Sequence, residues 1–360
     1  MAGLAFLAPA ASTPLARAPQ GVAPASGAAP RGSAAAGAGA AAFGAAFAAA
    51  CRGERKVRAF RVLRLAADQV PPAPASSVII KRDADAVASA VCAEVVKAAK
   101  EAVAARGAFA LAIPGGSILK MLASGSSELQ DVEWSKGVLA YVNHKCVAND
   151  DPAATHQKAN ELFLSGWSGL KVITMGGSAD GEAEAQRYEA ELRALPETTL
   201  PRSQDGMPIF DLCLIGVGDD GHFGSLYPGR KEIADESGRW VLPVDMKSPP
   251  SITLSPGVML ASKSMVASAG VSEKYPMGKS EAMQRAIEGA EGYNAFPAQR
   301  LRQNARWLLD EAAASALGPT KLQVLKEIKQ CRRCLRLMQG IAIAFSVTYR
   351  CSKYEATVLT

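Results

Sequence analysis

The first 53 residues of this 360-residue chain contain no aspartate or glutamate. Their charges are Arg17, Arg31 and Arg52, spread among Ala, Gly, Pro and Ser. Such a stretch has too few large apolar side chains to pack a core, so a globular N-terminal domain is excluded. Cysteine is sparse as well. Cys51, Cys92, Cys146, Cys213, Cys331, Cys334 and Cys351 are scattered and odd in number, which excludes a disulfide framework. Cys331 and Cys334 form one CxxC with no second pair and no histidine close by. A structural zinc site takes four ligands, so no metal is expected. Long apolar runs are also missing. Residues 34–51 would span a bilayer by length alone, but they are mostly Ala and Gly. Residues 341–347 are too short. No stable membrane span is expected in the mature protein, and no internal repeat is visible.

The net charge is +6, but it belongs to the two ends. Residues 1–75 hold eight Lys and Arg against Glu54 and Asp68, and residues 318–360 hold eight against Glu327 and Glu355. The remainder has 24 basic and 30 acidic residues. Nucleic-acid binding needs a basic face on the folded body, so it loses its support. The acid-free start fits an organelle transit peptide. Its two apolar patches resemble the two-part leaders of plastid proteins, so a plastid address is expected, with the cytoplasm as the alternative. Residues 55–70 suit a basic amphipathic helix. Pro71, Pro72 and Pro74 then break the chain and mark the start of a domain. Three parts are therefore expected: a leader over 1–75, a catalytic domain over 76–317 and a basic extension over 318–360, with a helix candidate at 321–336. A monomer or weak oligomer is expected.

Within 76–317, strands alternate with helices. Short apolar runs at 78–80, 109–113, 138–142, 171–175, 210–217, 240–244, 251–255 and 263–269 read as strands. Residues 83–106 and 183–195 have helical spacing, with Asp83 or Asp85 placed to cap the first. This pattern predicts an α/β fold with a mostly parallel sheet and helices on both faces.

Two loops carry candidate chemistry. The run 210–217 leads directly into Gly-Asp-Asp-Gly-His, which delivers His222 to the carboxyl end of a strand, where α/β folds bind ligands. Asp219 and Asp220 lie close enough in sequence to orient or charge it. Histidine titrates near neutral pH. The bland alternative is a loop whose aspartates cap the next helix. The second loop is Gly115, Gly116 and Ser117, between the strand at 109–113 and a helix. Exposed N–H groups there suit an anion, or the segment is a plain tight turn.

The stretch GVGDDGHFGSLYPG resembles the signature of the 6-phosphogluconolactonases, G-M-G-x-D-G-H-T-A-S-L-F-P-G, departing at Phe223 and Gly224. AIPGGSI resembles that family's A-L-S-G-G-S-T-P, with Ile118 in place of a threonine hydroxyl. NHKCV stands where the family has Asp-Glu-Arg-Cys-Val, which puts Lys145 in place of an arginine near the substrate phosphate. His144 reads as a partly exposed loop residue. KSPPSITLS resembles K-P-P-x-R-I-T-L-T, with Ser251 replacing the arginine. Lys247 is either a compensating cation or a solvated loop lysine. GKSEAM resembles G-x-x-K-x-x-A-L and places Lys279 at a helix start, a good phosphate partner. WLLDEAAASA, 307–316, is expected to be the closing helix.

The resemblance implies a single Rossmann-like domain that hydrolyses a sugar-phosphate lactone, 6-phospho-glucono-δ-lactone, with no cofactor and no metal. His222, oriented by Asp220, is expected to act as general base toward a water. The Gly115, Gly116 and Ser117 backbone, Lys145 and Lys279 would hold the phosphate. Amino-sugar-phosphate deaminases and isomerases of the same superfamily also carry Asp-Gly-His, but they continue I-A-F-N-E-P where this chain reads FGSLYPG. A third possibility is a non-catalytic sugar-phosphate binder, motivated by the changes at 143–145, Ile118 and Ser251.

Overall fold

The computed structural model of the protein describes residues 68–125 and 127–318. The leader, the CxxC pair and the helix expected at 321–336 lie outside the described residues. So does all but the end of the helix expected at 55–70, and its last three residues are not helical.

Among the described residues ten strands form, in chain order: β1 (Val78–Lys81), β2 (Phe109–Ile113), β3 (Gly137–Tyr141), β4 (Asn143–Lys145), β5 (Lys171–Val172), β6 (Leu212–Gly216), β7 (Val241–Val244), β8 (Ser251–Leu254), β9 (Met265–Ala269) and β10 (Ala305–Asp310). Seven of them make one sheet, ordered β1-β10-β9-β6-β2-β3-β5, and every neighbouring pair is parallel. The other three form a small antiparallel sheet, β4-β8-β7. A parallel sheet must be covered on both faces. That is why β2 (FALAI) and β3 (GVLAY) are buried at every residue.

Alternate side chains feed two cores. Phe109, Leu111 and Ile113 of β2 meet Val87, Val91 and Val95 of helix α1 (Ala84–Arg106) and Leu122 of α2 (Ser117–Ser124). On the opposite face Ala110 and Ala112 join Tyr188 and Leu192 of α4 (Gly181–Arg193), beyond α3 (Thr155–Leu162) in sequence. Met259 of α5 (Pro256–Ala261) and Met283 of α6 (Ser280–Glu288) complete that layer. Asp83 does cap α1, accepting from the Ala86 N–H at 2.8 Å, and Gly107 closes it at φ 79°.

The expected closing helix at 307–316 is corrected. Trp307 to Asp310 are the core of β10, wedged between β1 and β9, with Val78 opposite Trp307. Sheet pairing overrides the helical preference of Leu and Ala there. Asp310 then accepts from the Ala313 N–H at 2.7 Å, holding the turn that follows. The strand expected at 171–175 stops at Val172. Beyond it, the Asn149 amide takes the place of a neighbouring strand by pairing with both backbone groups of Met175. Arg302 is buried and donates to the carbonyls of Val70, Arg285, Ala286 and Gly289. It fastens the first described residues to the end of α6. Burial lowers this guanidinium to about 10.

The strand order reverses between β2 and β6. From β2 the chain moves outward to β3 and β5, and from β6 it moves the other way to β9 and β10. In open α/β sheets the crevice at such a reversal is where ligands bind.

Candidate active site

Both candidate loops flank that crevice. β6 ends at Gly216, and the next residues make a tight loop in which the Gly218 N–H donates to the His222 carbonyl at 2.8 Å. The Asp220 carboxylate accepts from the His222 N–H at 3.1 Å and from its Nδ1–H at 2.5 Å. With the proton on Nδ1, the lone pair of the ring is on Nε2, and about a third of the imidazole is open to solvent. Burial alone would raise the Asp220 carboxyl, but the two hydrogen bonds from His222 outweigh it and hold it below the ordinary carboxylate range. The imidazole lies directly over Gly218, where a Cβ would come within 2.1 Å of the ring. The tilted ring of Tyr227 covers it at 4.8 Å between centroids. Phe223 is fully buried in the core, and a methyl at Gly224 would meet the Thr253 hydroxyl at 2.8 Å.

Lys279 arrives from the β9 side. Its Nζ donates to the Val217 carbonyl at 2.7 Å and stands 3.9 Å from Asp219 and 4.4 Å from the centre of the Tyr275 ring. Burial lowers its pKa, opposed by Asp219. Among the described residues it is the one non-glycine with positive φ, 61°. Strained backbone of this kind marks functional positions.

Gly115, Gly116 and Ser117 follow β2, next to β6. Gly116 has φ 77° and ψ −136°, a conformation open to glycine alone, and it forms the N-cap of α2. Gly115 packs on Thr155, the first residue of α3. Ser117 is exposed at the helix start. Ile118 points the other way into the core, fully buried, so its substitution serves packing.

The small sheet supplies the third wall. Lys145 is exposed at the end of β4, with Ser251 as its cross-strand partner. Ser225, three residues after His222, accepts from the Asn143 amide and from the Ser251 hydroxyl, each at 3.1 Å. His144 is corrected: it is a buried residue of β4, 1% exposed. Its Nδ1 bonds the Lys145 carbonyl at 2.7 Å and its Nε2 accepts the His156 N–H at 3.1 Å. It clamps α3 to β4 and faces no crevice.

The structure thus brings His222 and Asp220 into a hydrogen-bonded pair and fastens Lys279 to Val217 of the same loop. Gly115, Gly116 and Ser117 stand on the adjacent strand end, and Lys145 stands on the sheet tied to it through Ser251 and Ser225. Tyr227 and Ser225 had no role in the sequence reading. Their position directly after Asp-Gly-His was the available signal. Among the described residues no three His, Cys, Asp or Glu side chains gather as a metal site. No described helix is long and apolar enough to cross a membrane.

Comparison with known proteins bears on the family and the fold. Over 221 residues the chain is 30% identical to "6-phosphogluconolactonase 3, chloroplastic" of Arabidopsis thaliana, covering 59% of this chain and 66% of that one. Over 228 residues it is 32% identical to "Probable 6-phosphogluconolactonase 2" of the same plant, covering 59% and 84%. A 6-phosphogluconolactonase crystal structure from Shewanella baltica OS155 shares the fold with a TM-score of 0.54 and 21% identity, over 65% of this chain and 97% of that one. The family model described as glucosamine-6-phosphate isomerases/6-phosphogluconolactonase matches residues 82–309, and the chain belongs to that family.

Proposed function

We propose that the protein hydrolyses 6-phospho-D-glucono-1,5-lactone to 6-phosphogluconate. The observation that carries this is the Asp220–His222 pair at the strand-order reversal, with a third of the imidazole open to solvent and the half-buried ammonium of Lys279 anchored on Val217 of the same loop. His222 takes a proton from water through Nε2. The hydroxide attacks the lactone carbonyl carbon, and a tetrahedral oxyanion forms. As that collapses, the bond from C1 to the ring oxygen breaks, and His222 returns its proton to the leaving oxygen. Asp220 fixes the tautomer and steadies the imidazolium. The Gly115, Gly116 and Ser117 backbone, Lys145 and Lys279 bind the phosphate as N–H and ammonium donors. The relatives named as lactonases support this reading. The isomerase reading is disfavoured because this chain lacks the glutamate of I-A-F-N-E-P after the histidine. The non-catalytic reading is disfavoured by the intact Asp220–His222 pair.

The catalytic unit is placed at 76–317 together with its anchoring segment 68–75, with a plastid leader ahead of it and 318–360 as a separate extension. The acid-free composition of the leader and the chloroplastic relative support the address. The decisive experiment is acid release from freshly made lactone, corrected for spontaneous opening. His222→Ala is expected to lower turnover about 10²–10⁴-fold with little change in KM. Equal turnover in wild type and variant overturns the role of His222. Binding of 6-phosphogluconate with no hydrolysis would favour the non-catalytic reading.

A further inference from the structure

One buried titratable group has no part in the mechanism above. His144 of β4 is 1% exposed. Its Nδ1–H donates to the Lys145 carbonyl at 2.7 Å, and its Nε2 lone pair accepts the His156 N–H at 3.1 Å. Only the neutral imidazole with its proton on Nδ1 satisfies both bonds. The second bond is a helix cap. Ala154, at the N-cap of α3, has no side-chain acceptor, so the His144 ring fills that role from the neighbouring strand. A proton on Nε2 would set two donors against each other and bring a cation to the positive end of the helix.

The start of α3 is also a wall of the candidate phosphate cradle. Thr155 packs on Gly115, its Oγ1 3.1 Å from where a Cβ would stand. α3 packs against α2, whose N-cap is Gly116. We propose that neutral His144 is a positioning residue for phosphate binding: it holds Thr155 against Gly115 and the Lys145 backbone in β4, and protonation of the ring loosens both. This rests on the lactonase reading for the identity of the ligand.

The groups that face the ring are few. The Tyr141 ring of β3 stands edge-on at 5.3 Å between centroids, and its hydroxyl pairs with Nδ1 of His156 at 2.9 Å. The cross-strand neighbour on β8 is Ile252, which is neutral. The Glu184 carboxylate of α4 favours the proton, but it is engaged by Arg187 and by the Gly176 and Ser178 N–H groups. Burial prevails and keeps His144 below the ordinary histidine value. The loosened form therefore takes up the proton first, and the clamp weakens as pH falls below about 6.5.

The test uses the full chain and the His144→Gln and His156→Gln variants. Glutamine can accept from the His156 N–H and donate to the Lys145 carbonyl, but it takes up no proton. Calorimetric affinity for 6-phosphogluconate is read at about pH 7.5 and about pH 5.5, on either side of the ordinary histidine value. Lactone KM and kcat are read at the same two values, with circular dichroism to show that each protein is folded. The ligand's phosphate titrates at about pH 6 in every case, so the readout is the difference between proteins. A single proton changes an equilibrium by at most about tenfold per pH unit. On acidification the wild type is expected to lose about three- to tenfold more affinity than His144→Gln, in KM rather than kcat, and His156→Gln should follow the wild type. Equal losses in wild type and His144→Gln overturn the proposal, as does a loss that disappears only in His156→Gln. An acid shift of the urea midpoint without a difference in affinity also overturns it. If the wild type hydrolyses no lactone while the difference in 6-phosphogluconate binding persists, the functional reading fails and the positioning role stands.

Discussion

Two glycines of the Asp-Gly-His loop are required for different reasons, and this separates activity from stability. At Gly218 the obstacle is the imidazole itself, 2.1 Å from where a Cβ would stand. An alanine there pushes His222 off Asp220 while the loop keeps room to remain folded. At Gly221 the obstacle is the Phe296 ring at 2.6 Å, and φ is +82°. An alanine there is strained and collides with the core, costing of the order of 1–3 kcal/mol for the backbone alone. Gly218→Ala is therefore expected to lose most turnover with a near-native unfolding midpoint. Gly221→Ala is expected to lose stability first. Urea titration beside lactone turnover separates the two, and the reverse pattern would refute this account. These positions were legible in the sequence because the whole device is local: strand, three glycines, two aspartates and a histidine within eleven residues.

At the scale of elements, legibility fails where a distant segment decides. His144 looked like a loop residue, and its burial comes from the His156 N–H, which belongs to a helix twelve residues on. WLLDEAAASA looked helical because its composition is helical, and β1 and β9 made its first half a strand. The clamp between β4 and α3 has a pH signature. Burial holds His144 and His156 below the ordinary histidine value. On acidification the unfolded chain takes up those protons first, so stability falls as pH drops below about 6.5. The urea midpoint should decrease from pH 7.5 to 5.0, and the decrease should be smaller in His144→Gln. An unchanged slope in the variant would show that His144 is not the group responsible.

For the molecule as a whole, the expected domain start after Pro74 falls slightly late. Asp68 to Pro72 are already part of the fold: Asp68 accepts from the Tyr293 N–H through its carbonyl, and Val70 receives Arg302. The proline cluster was a visible breaker, but the anchoring groups lie more than 200 residues downstream and leave no local trace. A fragment of 68–318 is accordingly expected to unfold cooperatively and to keep the turnover of the full chain. A fragment beginning at 76, without the Arg302–Val70 bond, should unfold at lower urea. Equal midpoints would remove Arg302 from its role as fastener.

The pairing of Val78 with Trp307 also has a consequence in time. β1 is among the first parts of the domain to be synthesised, and its neighbour β10 is the last strand among the described residues. At roughly 5–20 residues per second, an apolar strand waits roughly 10–45 s on the ribosome for its partner. During that interval the sheet cannot close around it, so the nascent chain stays threadable, and Val78, Ile79 and Ile80 are exposed to any chaperone that reads short apolar segments.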